Sequence, residues 1–222
     1  VLATRNEGKV KEINELLKNF PVEIKGLNEF GPIPEVEEDG ETFDDNAYKK
    51  AHHYARVLGL PALADDSGLV VDALDGAPGV YSARYSGENA TDWDNCEKLL
   101  QEMQGKTDRT ARFQCVLSLA TPGGPALTWE ASCEGSITQE RQGEAGFGYD
   151  PIFYYEDFGK TFAEVGMAEK SAVSHRGKAM QEMSNEFDKV MTWLRQRMKE
   201  IKPKKPDHAE FEHNDWSQEK MV

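Results

Sequence analysis

Two adjacent aspartates break an otherwise apolar run, Leu63-Ala64-Asp65-Asp66-Ser67-Gly68-Leu69-Val70-Val71. Carboxylates in such surroundings are costly unless paired, solvated or bound to a cation. With no His or Cys alongside, an all-oxygen site suits Mg²⁺ rather than zinc. The acidic stretch Glu35–Asp45, which holds Glu37, Glu38, Asp39 and Glu41, can supply another ligand, although most of it reads as a solvated turn.

Three other segments carry chemistry. Thr4-Arg5-Asn6-Glu7-Gly8-Lys9 combines a hydroxyl, an amide and an ammonium where a strand gives way to a helix. Free N–H groups at a helix start suit phosphate oxygens. Gly146-Phe147-Gly148-Tyr149-Asp150-Pro151 sets an aromatic ring between glycines, a way to offer its face to a base, with Asp150 as an acceptor. Lys170-Ser171-Ala172-Val173-Ser174-His175-Arg176 gathers cations at a predicted helix start. The helix dipole disfavours cations there, so an anion or keto oxygen is the expected counterpart. Asp157-Phe158-Gly159 has no kinase loop to accompany it, and neither GxGxxG, GxxxxGK[ST] nor GxSxG occurs.

The elements that must position these residues alternate in type. Val1-Leu2-Ala3 reads as a buried strand entered part-way and Val22–Lys25 as a second short strand. Lys9–Leu17 and Thr42–Val57 have helical spacing, the latter with Ala47, Ala51 and Ala55 on one face. Asp92–Met103 is a third predicted helix. Ala111–Thr121 and Leu127–Thr138 are strands joined by Pro122-Gly123-Gly124. Ser174 can cap a last long helix, Gly177–Ile201. The polar segment 202–222 follows Lys202-Pro203-Lys204-Lys205-Pro206 and reads as a disordered extension, which leaves one catalytic domain over 1–201.

Composition sets limits. The 222 residues carry a net charge of −14, which argues against nucleic acid and anionic membranes as partners. No apolar run approaches a membrane span. Three isolated cysteines suggest neither a zinc site nor a disulfide framework, and fit a cytoplasmic location.

The segments LATRNEGKVKE, GETFDDNAYKKA, LPALADDSGLVVDALDGAPGVYSARYSG, GFGYDPIF and EKSAVSHRGKA, in this order, resemble the inosine triphosphate pyrophosphatases, the Ham1/RdgB family, and its bacterial branch in particular. The similarity runs to about Arg197. It implies a mixed α/β fold: a long twisted sheet flanked by helices, two lobes with a cleft between them, and a homodimer. It also implies Mg²⁺-dependent hydrolysis of ITP, dITP or XTP to the monophosphate and pyrophosphate. Asp66 matches the catalytic base and a metal-associated residue. Asp65 and Glu38 match metal-linked acids, with Glu37 the alternative at one residue's shift. Thr4–Lys9 matches the phosphate turn and Lys50 a lysine near the triphosphate. Ser67, Phe147–Asp150, Lys170, His175 and Arg176 match substrate-contacting positions. A Maf-like pyrophosphatase for modified pyrimidine nucleotides and a non-catalytic nucleotide binder are the rival readings.

Overall fold

The run around the two aspartates folds as one uninterrupted strand, β1 (Ala62–Val71), in a computed structural model that describes residues 1–201. The extension 202–222 lies outside the described residues. The expectation of two apolar stretches separated by a polar knot is corrected here. Alternation along a strand lets Asp65–Gly68 stay in register, since every second side chain turns to the opposite face. β1 pairs antiparallel with β2 (Thr110–Ala120), with Asp66 opposite Val116 and Ser67 opposite Cys115. β2 pairs with β3 (Ala126–Ile137), β3 with β4 (Phe153–Tyr155) and β4 with β5 (Lys160–Thr161), all antiparallel.

Six helices flank this sheet: α1 (Glu7–Leu17), α2 (Phe43–Leu58), α3 (Asp92–Glu102), α4 (Met167–Val173), α5 (His175–Asn185) and α6 (Phe187–Glu200). The long helix expected after Ser174 is broken at Glu186, where the backbone leaves the helical region. Phe187 then packs on Phe20, with ring centroids 4.4 Å apart. Neither N-terminal stretch forms a full strand. Leu2 makes single parallel bridges to Gly26 and Leu63, and Val22–Lys25 stays irregular.

One face of β1 buries Leu63 among α1, α5 and α6, and Leu69 and Val71 in a second cluster with α3, Phe113 and Phe153. Asp65 and Ser67 occupy the gap between these two apolar clusters. On the other face Ala62 and Ala64 meet α2, whose Ala47, Ala51 and Ala55 are fully buried and let helix and sheet approach closely. The expected two lobes are thus the two ends of the long β-hairpin, each with its own apolar packing, and the polar residues of β1 lie between them.

Candidate active site

Asp65 and Asp66 face opposite sides of the sheet, and their environments differ in kind. The Asp65 carboxylate is fully buried and accepts from Arg176 Nε at 2.7 Å, Arg176 Nη2 at 3.3 Å, Ser67 Oγ at 2.8 Å and Cys115 Sγ at 3.3 Å. Lys9 Nζ completes the set at 2.5 Å. Arg176 spends its remaining bonds on Glu12 Oε2, at 2.6 Å, and on Ser67 Oγ, at 3.0 Å. Burial opposes charge on Asp65, yet Arg176 and then Lys9 outweigh it and hold the carboxyl well below its usual range. Burial and the neighbouring Asp65 charge push the Cys115 thiol far up, so it remains a neutral donor.

Asp66 turns the other way. Its Oδ1 accepts from Lys50 Nζ at 2.6 Å, while its Oδ2 is buried with no protein partner. Burial raises its pKa above the ordinary value despite Lys50 and Lys9. Lys50 also donates to Glu38 Oε2 at 3.0 Å and to the Asp65 carbonyl at 3.1 Å. Burial opposes its charge, but Asp66 and Glu38 keep it protonated. Of the two candidate glutamates, Glu38 turns inward to Lys50, and Glu37 is exposed.

Four side chains, Arg176, Lys9, Ser67 and Cys115, already engage both Asp65 oxygens, whereas Asp66 Oδ2 has no partner. The oxygens that remain for a cation are those of Asp66 and Glu38. An unpartnered buried carboxylate oxygen beside a second carboxylate fits a hard divalent ion. Among the described residues no group of three or more His, Cys, Asp or Glu side chains is placed to hold a metal by itself.

A cavity of about 270 Å³ opens over Asp66, lined by Thr4, Asn6, Lys9, Lys50 and Arg84 among others. The turn before α1 is held by its own side chains: Asn6 Oδ1 accepts from Lys9 N at 3.0 Å, and Thr4 Oγ1 from Asn6 N at 3.1 Å. Arg5 sits at the edge, tied to Asn28 and Glu35. Glu7 and Gly8 line neither this cavity nor the next one.

A second, smaller cavity of about 110 Å³ shares Asn6, Lys9 and Ser67 with the first and is closed by Phe147, Tyr149 and His175. The Phe147 loop owes its shape to Gly146, at φ 79°, where a Cβ would lie 2.0 Å from Asp150 Oδ2. That oxygen accepts from Phe147 N at 3.0 Å and from Lys170 Nζ at 2.6 Å. Tyr149 Oη donates to the Ser82 carbonyl at 2.8 Å. The Phe147 ring lies against Gly8, where a Cβ would be 2.8 Å from it, with Lys170 Nζ 4.7 Å from its centroid. His175 stacks on Phe113 at 4.7 Å, and its Nδ1 has no partner. Burial first, then Arg176 and Lys170, hold the imidazole neutral, its pKa well below the usual value. Lys170, His175 and Arg176 converge because α4 runs into α5 through a tight corner. Ser174 caps α5, and a Cβ on Gly177 would lie 1.7 Å from the Ser171 carbonyl oxygen.

Arg176 is 1% exposed and lines the smaller cavity, with its guanidinium tied to Asp65 and Glu12 and 5.6 Å from the Phe147 ring centroid. Sequence reasoning missed Glu12, Arg84, Ser82 and Cys115. For Glu12 there was a signal: an acid three residues after Lys9, on the face of α1 that carries Ile13.

The pattern of the Ham1 family matches residues 1–186. This chain belongs to the Ham1 family. It is 64% identical over 217 residues to the dITP/XTP pyrophosphatase of Desulfotalea psychrophila, an alignment covering 98% of this chain and 97% of that one. The dITP/XTP pyrophosphatase of Geobacter sulfurreducens is 53% identical, over 81% of this chain and 92% of its own length. A solved Ham1 protein from Coxiella burnetii superposes with a TM-score of 0.78 at 44% identity, covering 85% of this chain and 97% of that one. Membership accounts for the mixed α/β architecture. Within this Ham1 chain no helix of the described residues is long and apolar enough to cross a membrane.

Proposed function

We propose that this chain hydrolyses dITP, ITP and XTP to the monophosphate and pyrophosphate, with Mg²⁺ as cofactor, and so clears deaminated purines from the nucleotide pool. The observation that carries this reading is the unpartnered Asp66 Oδ2 beside the ammonium groups of Lys9 and Lys50, in a cavity that shares Asn6, Lys9 and Ser67 with the one closed by Phe147. The names of the Desulfotalea and Geobacter relatives support it.

The triphosphate lies in the larger cavity, where Lys9 and Lys50 balance its charge and the turn before α1 supplies hydroxyl and amide groups. Asp66 and Glu38 would hold the Mg²⁺, which would supply positive charge at the phosphates and lower the pKa of a bound water. The Asp66 carboxylate takes the proton of the water that attacks phosphorus. Most of the remaining catalysis is positioning and charge stabilisation. The base enters the smaller cavity against Phe147. Neutral His175 meets the 6-keto oxygen, with Lys170 and Arg176 nearby. Adenine would bring its 6-amino donor toward these cations, and a polar site rejects a mismatched partner strongly. The protein acts in the cytoplasm, as a homodimer.

The test is pyrophosphate release from dITP, ITP, XTP, dATP and dGTP, each with Mg²⁺ and with excess chelator. Release confined to the 6-keto, deaminated purines and abolished by chelator is the expected result. Equal release from dATP overturns the base reading. Preference for a modified pyrimidine triphosphate overturns the substrate class.

A further inference from the structure

Asp92 is an acid with no task in the account so far. It is the first residue of α3, yet the cap of that helix is complete without it. Thr91 Oγ1 accepts from Asp94 N at 3.2 Å, and Asp94 Oδ2 accepts from Thr91 N at 2.8 Å and Thr91 Oγ1 at 2.6 Å. The Asp92 side chain turns instead across 56 residues of chain, where its Oδ2 accepts from Gly148 N at 2.6 Å. Asp92 also lines the smaller cavity.

Gly148 follows Phe147 and has φ 62°, so the loop reverses at that point. The two successive amides are therefore each held by a carboxylate: Phe147 N by Asp150, Gly148 N by Asp92. Asp150 belongs to the loop and moves with it. Asp92 belongs to α3, which is anchored by buried Asn95, Cys96 and Leu99. Asn95 bonds Ser86 N at 2.8 Å and the Ala83 carbonyl at 3.2 Å, and Cys96 Sγ donates to the Gly148 carbonyl at 3.4 Å. A charged acceptor on a rigid helix end fixes the peptide that orients the ring.

We propose that Asp92 is a positioning residue for nucleotide binding: it pins the Gly148 amide to α3 and so holds the Phe147 ring at the angle a purine requires. The proposal rests on the reading that the base stacks on Phe147. Its weight falls on binding rather than on the chemical step, since Asp92 lines the smaller cavity and not the one over Asp66.

The experiment compares Asp92→Ala, Asp92→Asn and Phe147→Ala on full-length protein with dITP and Mg²⁺, and follows hydrogen exchange of peptides covering 143–150. Loss of a hydrogen bond to a charged acceptor should raise KM about tenfold in Asp92→Ala, with kcat changed less than about twofold. Asp92→Asn keeps an oxygen for Gly148 N and should recover most of the affinity. The loop should exchange faster in Asp92→Ala than in Asp92→Asn. An unchanged KM in Asp92→Ala, or an Asp92→Asn variant as impaired as Asp92→Ala, overturns the proposal. So does unchanged loop exchange in Asp92→Ala. Phe147→Ala separates the two readings. If it leaves KM unchanged, the base-stacking assignment fails, whereas a raised KM there with none in Asp92→Ala defeats the Asp92 proposal alone.

Discussion

Asp65 and Asp66 are neighbours in the chain and have almost nothing else in common. Asp65 faces α1 and α5 and is saturated by Arg176, Lys9, Ser67 and Cys115. Asp66 faces α2 and the open cavity with one oxygen tied to Lys50 and the other unpartnered. The protein environment drives their pKa values apart, one down through cations and one up through burial. A carboxylate held ionised by buried cations contributes structure. A carboxylate with a spare lone pair and a raised pKa contributes chemistry. Strand alternation alone makes this division possible, because it places adjacent residues in separate compartments.

Substitution at each aspartate should give opposite signatures. Asp66→Asn should lower kcat on dITP by ~10²–10⁴, the contribution of a general base, with little change in melting temperature. A near-wild-type kcat at saturating Mg²⁺ would remove Asp66 from the chemical step. Asp65→Asn should instead cost about 3–5 kcal/mol of stability, because Arg176 and Lys9 are left buried beside a neutral amide. Urea unfolding measures it, and a loss below about 1 kcal/mol would show that the cluster relaxes.

Acid sharpens the contrast. The folded pKa of Asp65 lies below its unfolded value, so its stabilisation is complete above roughly pH 4 and is lost as pH falls toward the folded pKa. Stability of the wild type should therefore fall on acidification through that range, and Asp65→Asn should show a shallower decline. Equal slopes would mean that other carboxylates dominate acid unfolding. The smallest effect is expected at Cys115, where Cys115→Ala removes one thiol donor from an acceptor that keeps three stronger partners. It should change stability by about 1 kcal/mol or less and leave turnover intact.

Much of this division could be read in the sequence, and the missing part has a physical reason. The apolar flanks of Asp65-Asp66, the Pro122-Gly123-Gly124 turn and the alanine face of α2 each signal a local structure, and each is found. Which aspartate faces which compartment depends on what packs on each side of β1, and that is tertiary information. Arg176 illustrates the same limit. Its type fits base recognition, but its pairing with Glu12 and Asp65 beside the smaller cavity depends on the corner at Gly177 and the approach of α1. Helix α4 was missed because it is short and polar, and Glu169 caps it by bonding back to Gly166 N. The break at Glu186 leaves no composition signal, since apolar spacing continues through it from Met183 to Val190.

The set of buried Glu12, Asp65 and Arg176 with partly buried Lys9 also shapes how this protein can change. The four residues come from α1, β1 and α5, so no short stretch of gene encodes them together. Replacing any one strands a charge beside the others, which makes the single-step neighbourhood of each position steeply uphill. Two or more would have to change at once for the group to become apolar or to reverse polarity, a case of strong epistasis. Glu38 and the Phe147 loop belong to smaller sets, Lys50 with Asp66 and Asp150 with Lys170. In a mutational library screened for altered nucleotide preference, accepted single substitutions should therefore leave the four positions of the larger set untouched.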